Sequence, residues 1–130
     1  MKMIVSVILL FGVLGCGDDP VAPDITSYTL VSIDGEPLPI TVADNGTTRV
    51  QFTGGRINLD RDGTFSDRIE LRFTTNGVED EDSDTIGGTY TLNGTTIRFD
   101  YQGDRPVVSG ILERATLTQH TSDGPWVYER

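Results

Sequence analysis

The sequence is poor in the residues from which most reactive sites are built. It has one Cys, one His and one Lys, at Lys2. A lone thiol excludes an internal disulfide and any zinc site made of several thiolates, and a lone imidazole excludes a multi-histidine metal centre. Positive charge is scarce too: 10 Lys and Arg stand against 20 Asp and Glu, for a net charge of −10. Nucleic-acid binding, which needs clustered Lys and Arg, is excluded on that ground. Hydrophobic residues are only 36% of the 130, which leaves no room for a multi-span membrane protein and suits one domain. After the N-terminal apolar run no stretch has a helical period.

What is present starts with residues 1–16, MKMIVSVILLFGVLGC. Lys2 is a positive n-region, and Met3 to Leu14 form an apolar stretch too short to span a bilayer comfortably, the pattern of a secretory signal. Its end, Val13-Leu14-Gly15-Cys16, resembles the lipobox of bacterial lipoproteins, with Val13 where Leu is more usual. That resemblance implies a signal peptide over residues 1–15, cleavage before Cys16, and acylation of Cys16 on its sulfur and its new amino group. Several acyl chains at ~0.8 kcal/mol per buried methylene hold a membrane firmly. The expected location is the cell envelope. Gly17, where Gram-negative members retained at the inner membrane carry Asp, points to the outer membrane.

The chain from Cys16 onward carries 9 Arg and 20 acidic residues, a net charge of −11, which is repelled mildly by anionic headgroups. Residues 16–25 read as the lipidated Cys and a tether. Between Gly17 and Asp24 two Pro and three Asp keep it extended and soluble, with a reach of about 25 Å at ~3.1 Å per residue.

Residues 26–130 are punctuated by turn-forming pairs: Asp34-Gly35, Asn45-Gly46, Asp62-Gly63, Asn76-Gly77, Asn93-Gly94, Gly103-Asp104 and Asp123-Gly124. Asn and Asp tolerate the left-handed region and Gly has no penalty there, so such pairs favour tight hairpins. Seven turns separate eight segments, predicting strands near 26–33, 36–43, 47–60, 64–75, 85–92, 95–102, 106–119 and 125–129. Alternation supports them: Phe65, Ile69, Leu71 and Phe73 share one parity, against Ser66, Arg68, Glu70 and Arg72. In the third segment the parity slips from Val50 and Phe52 to Ile57 and Leu59, which predicts a bulge at Gly54-Gly55. Eight antiparallel strands on short turns remove their exposed edges by closing, so the expected fold is an all-β, eight-stranded, up-and-down barrel. A two-sheet β-sandwich is the alternative.

The opening Tyr28-Thr29-Leu30-Val31-Ser32-Ile33-Asp34-Gly35, the hairpin Leu59-Asp60-Arg61-Asp62-Gly63-Thr64-Phe65, and Gly88-Thr89-Tyr90-Thr91 with Ile97-Arg98-Phe99 resemble small bacterial lipocalin-like lipoproteins. The resemblance implies a lipocalin-like barrel over most of residues 26–130. The Gly-x-Trp of classical lipocalins is missing from the first strand, where Tyr28 is the aromatic.

Three groups of residues are candidates for chemistry. His120 lies beside Ser122 and Asp123, but triads are assembled from separated elements, and three near-neighbours in one turn lack the geometry. Asp80, Asp82 and Asp84, inside the run Glu79–Asp84, alternate like the first oxygen ligands of a calcium loop. The turn Gly and distant Glu of that loop are absent, so the expectation is weak calcium binding or a solvated acidic loop, and no other cofactor. The aromatics Tyr28, Phe52, Phe73, Tyr90, Phe99, Tyr101, Trp126 and Tyr128 would line a cup for an apolar molecule if the barrel is open, or fill it as core.

No nucleophile–base pair emerges, so a non-enzymatic protein is expected. Two functions remain. One is a membrane-anchored module that binds a small apolar ligand in the barrel. The other is an interaction or structural module that contacts an envelope protein.

Overall fold

The computed structural model describes residues 25–130. The lipobox, Cys16 and most of the tether lie outside the described residues. Ten strands follow one another: β1 (Ile25–Ile33), β2 (Glu36–Pro37), β3 (Ile40–Asp44), β4 (Thr48–Asp60), β5 (Thr64–Thr75), β6 (Val78–Asn93), β7 (Thr96–Tyr101), β8 (Val108–Glu113), β9 (Thr116–Thr121) and β10 (Gly124–Glu129). All pairings are antiparallel, and β1 meets β10 on one side and β4 on the other. Strands β1 and β4 to β10 therefore close an eight-stranded up-and-down barrel, with β2 and β3 appended at the β1 and β4 margins. The closed ring sets the sandwich aside.

Turn chemistry explains most of this order. At Asp34-Gly35 and Asn76-Gly77 both residues have positive φ, 52° and 83° in the first pair, 52° and 81° in the second. That is the backbone of a two-residue type I′ hairpin, whose twist matches the strands it joins. The bulge expected in the third segment is present: the β4–β5 register shifts between Phe52 and Gly54. It brings Ile57 and Leu59 inward on the same side as Phe52.

Three segments depart from expectation. Segment 36–43 is not a stave of the barrel, because Pro37 and Pro39 offer no backbone N–H to a neighbour and split it into the short β2 and β3. Segment 106–119 instead supplies two staves, β8 and β9, turned at Arg114, which takes φ 34° without help from Gly or Asn. The acidic run is not a loop at a hairpin tip either. It lies within β6, paired from Thr74↔Glu79 to Ile69↔Asp84, and the tip is Asn76-Gly77.

The β6–β7 ladder ends at Gly88, and the Gly87 carbonyl still accepts from the Gln102 amide at 2.9 Å. Residues 78–86 have no strand partner on that side among the described residues and form a free edge on a ribbon that continues past the ring for roughly 30 Å. Free edges invite a second strand. Here the edge amides of Glu81 and Ser83 donate to the carboxylates of Asp80 at 3.0 Å and Asp82 at 2.8 Å. The acidic run thus occupies its own edge donors and repels a like-charged copy.

The core is apolar on the inside and polar on the outside. Ile57, Ile97, Phe99, Leu117 and Tyr128 are fully buried, and Phe65 packs edge-on against Phe99 at 5.0 Å and Tyr101 at 4.9 Å. Outward residues such as Thr29, Arg56, Arg68, Arg98 and Asp100 are exposed, the reverse of a transmembrane barrel, whose outer band is apolar.

Candidate functional site

The two ends of the barrel differ. One end gathers Ile25, the 60–64 turn, the 93–96 turn, the 113–116 turn and the C-terminus. It is sealed: the Tyr90 amide donates to the Gly63 carbonyl at 2.8 Å, and the Tyr90 hydroxyl donates to the Asp60 carbonyl at 2.6 Å. The opposite end holds the 102–107 loop, the 121–124 turn, and the β2–β3 segment. Here two recesses open, of about 250 Å³ and 380 Å³, which share Asp123 and Trp126.

The smaller recess has an apolar wall of Ile69, Pro106, Val108 and Trp126, and a polar floor of Asp67, Tyr101 and Gln119. The larger is lined by Ile33, Ile40, Val42 and Phe52 beside the same Trp126. Phe52 meets Trp126 edge-on at 5.5 Å, so the indole divides the mouth. A further recess of about 510 Å³ runs along the ribbon past Arg68, Glu70 and Glu81. It is polar and open, and its Arg68–Glu70 ion pair is half exposed, so it is solvated surface.

The floor is a chain of hydrogen bonds with one direction. The Tyr128 hydroxyl donates to Gln119 Oε1 at 3.4 Å, Gln119 Nε2 donates to the Tyr101 hydroxyl at 2.8 Å, and that hydroxyl donates to Asp67 Oδ2 at 2.6 Å. Every donor points toward the carboxylate, the arrangement an acceptor-only group in low dielectric requires. Asp67 is 8% exposed, and its Oδ1 has no partner among the described residues. Burial raises its pKa above the ordinary carboxylate range, against the pull of the Tyr101 hydrogen bond and the Arg105 charge. The Tyr101 hydroxyl is raised in turn by burial and by the Asp67 charge. Burial raises Tyr128 as well, with Asp67 adding to it. Trp126 Nε1 is a second buried polar atom at this end without a partner among the described residues.

The aromatics expected to line a cup divide by depth. Tyr28, Phe99 and Tyr128 are buried and fill the barrel as core. Tyr90 closes the sealed end, and Phe73 sits on the ribbon opposite Asp80. Phe52, Tyr101 and Trp126 remain at the mouth. Asp80, Asp82 and Asp84 are spread along an extended strand with spacings of roughly 7 Å, and do not converge on one point. Among the described residues no group of three or more His, Cys, Asp or Glu side chains could hold a metal ion. His120 is exposed on β9, opposite Ser109 and Pro125, with no carboxylate among its strand neighbours.

Asp67, Gln119 and Arg105 were not among the expected site residues. Two of them carry a signal: Asp67 stands at the inward parity between Phe65 and Ile69, and Gln119 two residues after inward Leu117. A charge or amide in the buried half of an alternation is a polar group placed in the core. Arg105 lies in a loop where alternation says nothing. Comparison with protein-family models, curated proteins and solved structures finds no match to this chain.

Proposed function

We propose that the chain is a lipid-anchored lipoprotein of the cell envelope, not an enzyme, whose barrel mouth binds a small, largely apolar molecule. One observation carries the reading: a recess at the open end combines apolar walls with a few convergent polar groups, as small-molecule sites do. Its volume of about 250 Å³ is just below the usual range for drug-sized sites and suits a smaller molecule. The chain enters at the sealed end, through Ile25, so a lipid on Cys16 would be tethered to the end opposite the mouth. Six residues of β10 separate the two ends, about 20 Å of strand. The lipobox and the resemblance to lipocalin-like lipoproteins support the same assignment, and Gly17 favours the outer membrane.

The second reading, a module that contacts an envelope protein, draws support from the ribbon that continues past the ring with a free β6 edge. Two measurements test the proposal. Replacement Cys16→Ser should abolish acyl labelling and release the protein from membranes; an unlabelled, freely soluble native protein would overturn the anchor. Lipophilic dyes should bind saturably and change Trp126 fluorescence. A panel that leaves the indole emission unchanged would favour the interaction module.

A further inference from the structure

The polar floor narrows the ligand further. Resting on the binding-module reading, we infer that the mouth takes an apolar molecule carrying an ammonium group, with the Asp67 carboxylate as counter-ion and the Trp126 and Tyr101 rings as its walls. Asp67 is 8% exposed and lines the recess, yet only Oδ2 is satisfied, by the Tyr101 hydroxyl. Oδ1 is a buried acceptor without a donor among the described residues, and a buried carboxylate is stabilised most by a group that brings both an N–H and a positive charge.

The chain already places a cation beside this floor. Arg105 lies 6.0 Å above the Tyr101 ring centroid, the geometry of a cation–π contact, and its charge acts on Asp67. It is exposed and makes no ion pair with that carboxylate among the described residues, so it occupies the approach without filling the site. The surrounding field has the same preference. Asp123 stands at the rim, and Asp84, Asp82 and Asp80 lie opposite Ile69, Leu71 and Phe73, on the sheet face that continues from the recess. In a chain of net charge −10 these groups attract cations and repel carboxylates. A neutral head could satisfy Oδ1 but would gain nothing from that field. A fatty-acid head would meet Asp67 at close range.

Calorimetric titration of the full-length protein with four probes that share one aromatic body separates these cases: benzylammonium, benzamide, benzoate and toluene. Benzylammonium should bind about tenfold or more tighter than the other three, and added salt should weaken it selectively. Asp67→Asn should reduce benzylammonium to the level of benzamide, a far larger loss than any change in toluene. Because Asp67 belongs to a buried network, Arg105→Ala provides a variant outside the core. Removing the competing guanidinium should tighten benzylammonium several-fold, and by a clearly larger factor than it changes toluene. Equal binding of toluene and benzylammonium, or preference for benzamide or benzoate, would overturn the ammonium assignment and leave the apolar pocket standing. If none of the four binds, both the assignment and the binding-module reading fall.

Discussion

Replacing Tyr101 by Phe tests whether the floor of the mouth is organised around a buried charge. The ring would stay in its edge-on contact with Phe65 at 4.9 Å, and only the hydroxyl would go. That atom donates to Asp67 Oδ2 at 2.6 Å and accepts from Gln119 Nε2 at 2.8 Å. Losing a hydrogen bond to a charged group costs about 1.5–3 kcal/mol, and stranding the Gln119 amide adds on the order of 1 kcal/mol. The sum is about 3 kcal/mol at neutral pH, a fall in Tm of roughly 10–20 °C for a domain of this size. The pH dependence is diagnostic. Where Asp67 is protonated the lost bond is between neutral groups while the Gln119 amide is still stranded, so the cost should shrink to about 2 kcal/mol. Urea denaturation of both proteins at acid and at neutral pH measures this, and a double-mutant cycle with Asp67→Asn should give a coupling of about 1–3 kcal/mol. A loss below about 0.5 kcal/mol at neutral pH, or an equal loss at both, would mean that water replaces the hydroxyl and the network is not dry.

Four further outcomes are expected. Burial raises the folded-state pKa of Asp67 above its unfolded value, so its contribution to stability is full below the ordinary carboxylate pKa and is lost as pH rises through the folded pKa. The stability of the native protein minus that of Asp67→Asn should therefore fall as pH rises through the folded pKa, and a difference that grew with pH would contradict the assignment. Asp62 works in the opposite sense, since the hydroxyl and amide of Thr64 lower its pKa, and because it is exposed its effect should be small. Gly88→Ala should destabilise by about 1–3 kcal/mol, because a Cβ there collides with the Asp100 carbonyl and presses on the Phe65 ring at 2.9 Å; chemical denaturation with an unchanged midpoint would refute the close approach. Millimolar calcium should leave the melting temperature where an equal ionic strength of sodium leaves it, since the Asp80, Asp82 and Asp84 carboxylates are held apart along β6. A calcium-specific rise that vanished on joint replacement of the three by Asn would reverse that view.

Local rules made the barrel legible, and they failed where the relevant physics was not local. Asp34-Gly35 and Asn76-Gly77 dictate their turns from two residues each, and the parity slip at Gly54-Gly55 is a bulge because alternation must resume on one face. The turn at Arg114 carries no such mark, so β8 and β9 look like one long strand until their pairing is seen. The acidic run looks like a loop because strand propensity counts Asp and Glu as unfavourable. What overrides that propensity is pairing with β5 along one side and the Asp80 and Asp82 carboxylates bonded to edge amides on the other. The site divides in the same way. Aromatic residues are visible in any listing of the chain, but depth along the barrel axis decides which of them are core and which border the mouth, and depth depends on register among all eight staves. Asp67 was the readable exception. A carboxylate in the inward half of Phe65-x-Asp67-x-Ile69 costs stability unless it is bonded, and it is bonded on one oxygen only. A barrel that needed nothing at its mouth could have a Val there. That cost, set beside an open recess and a cation on the neighbouring ring, is what the proposed charged guest would offset.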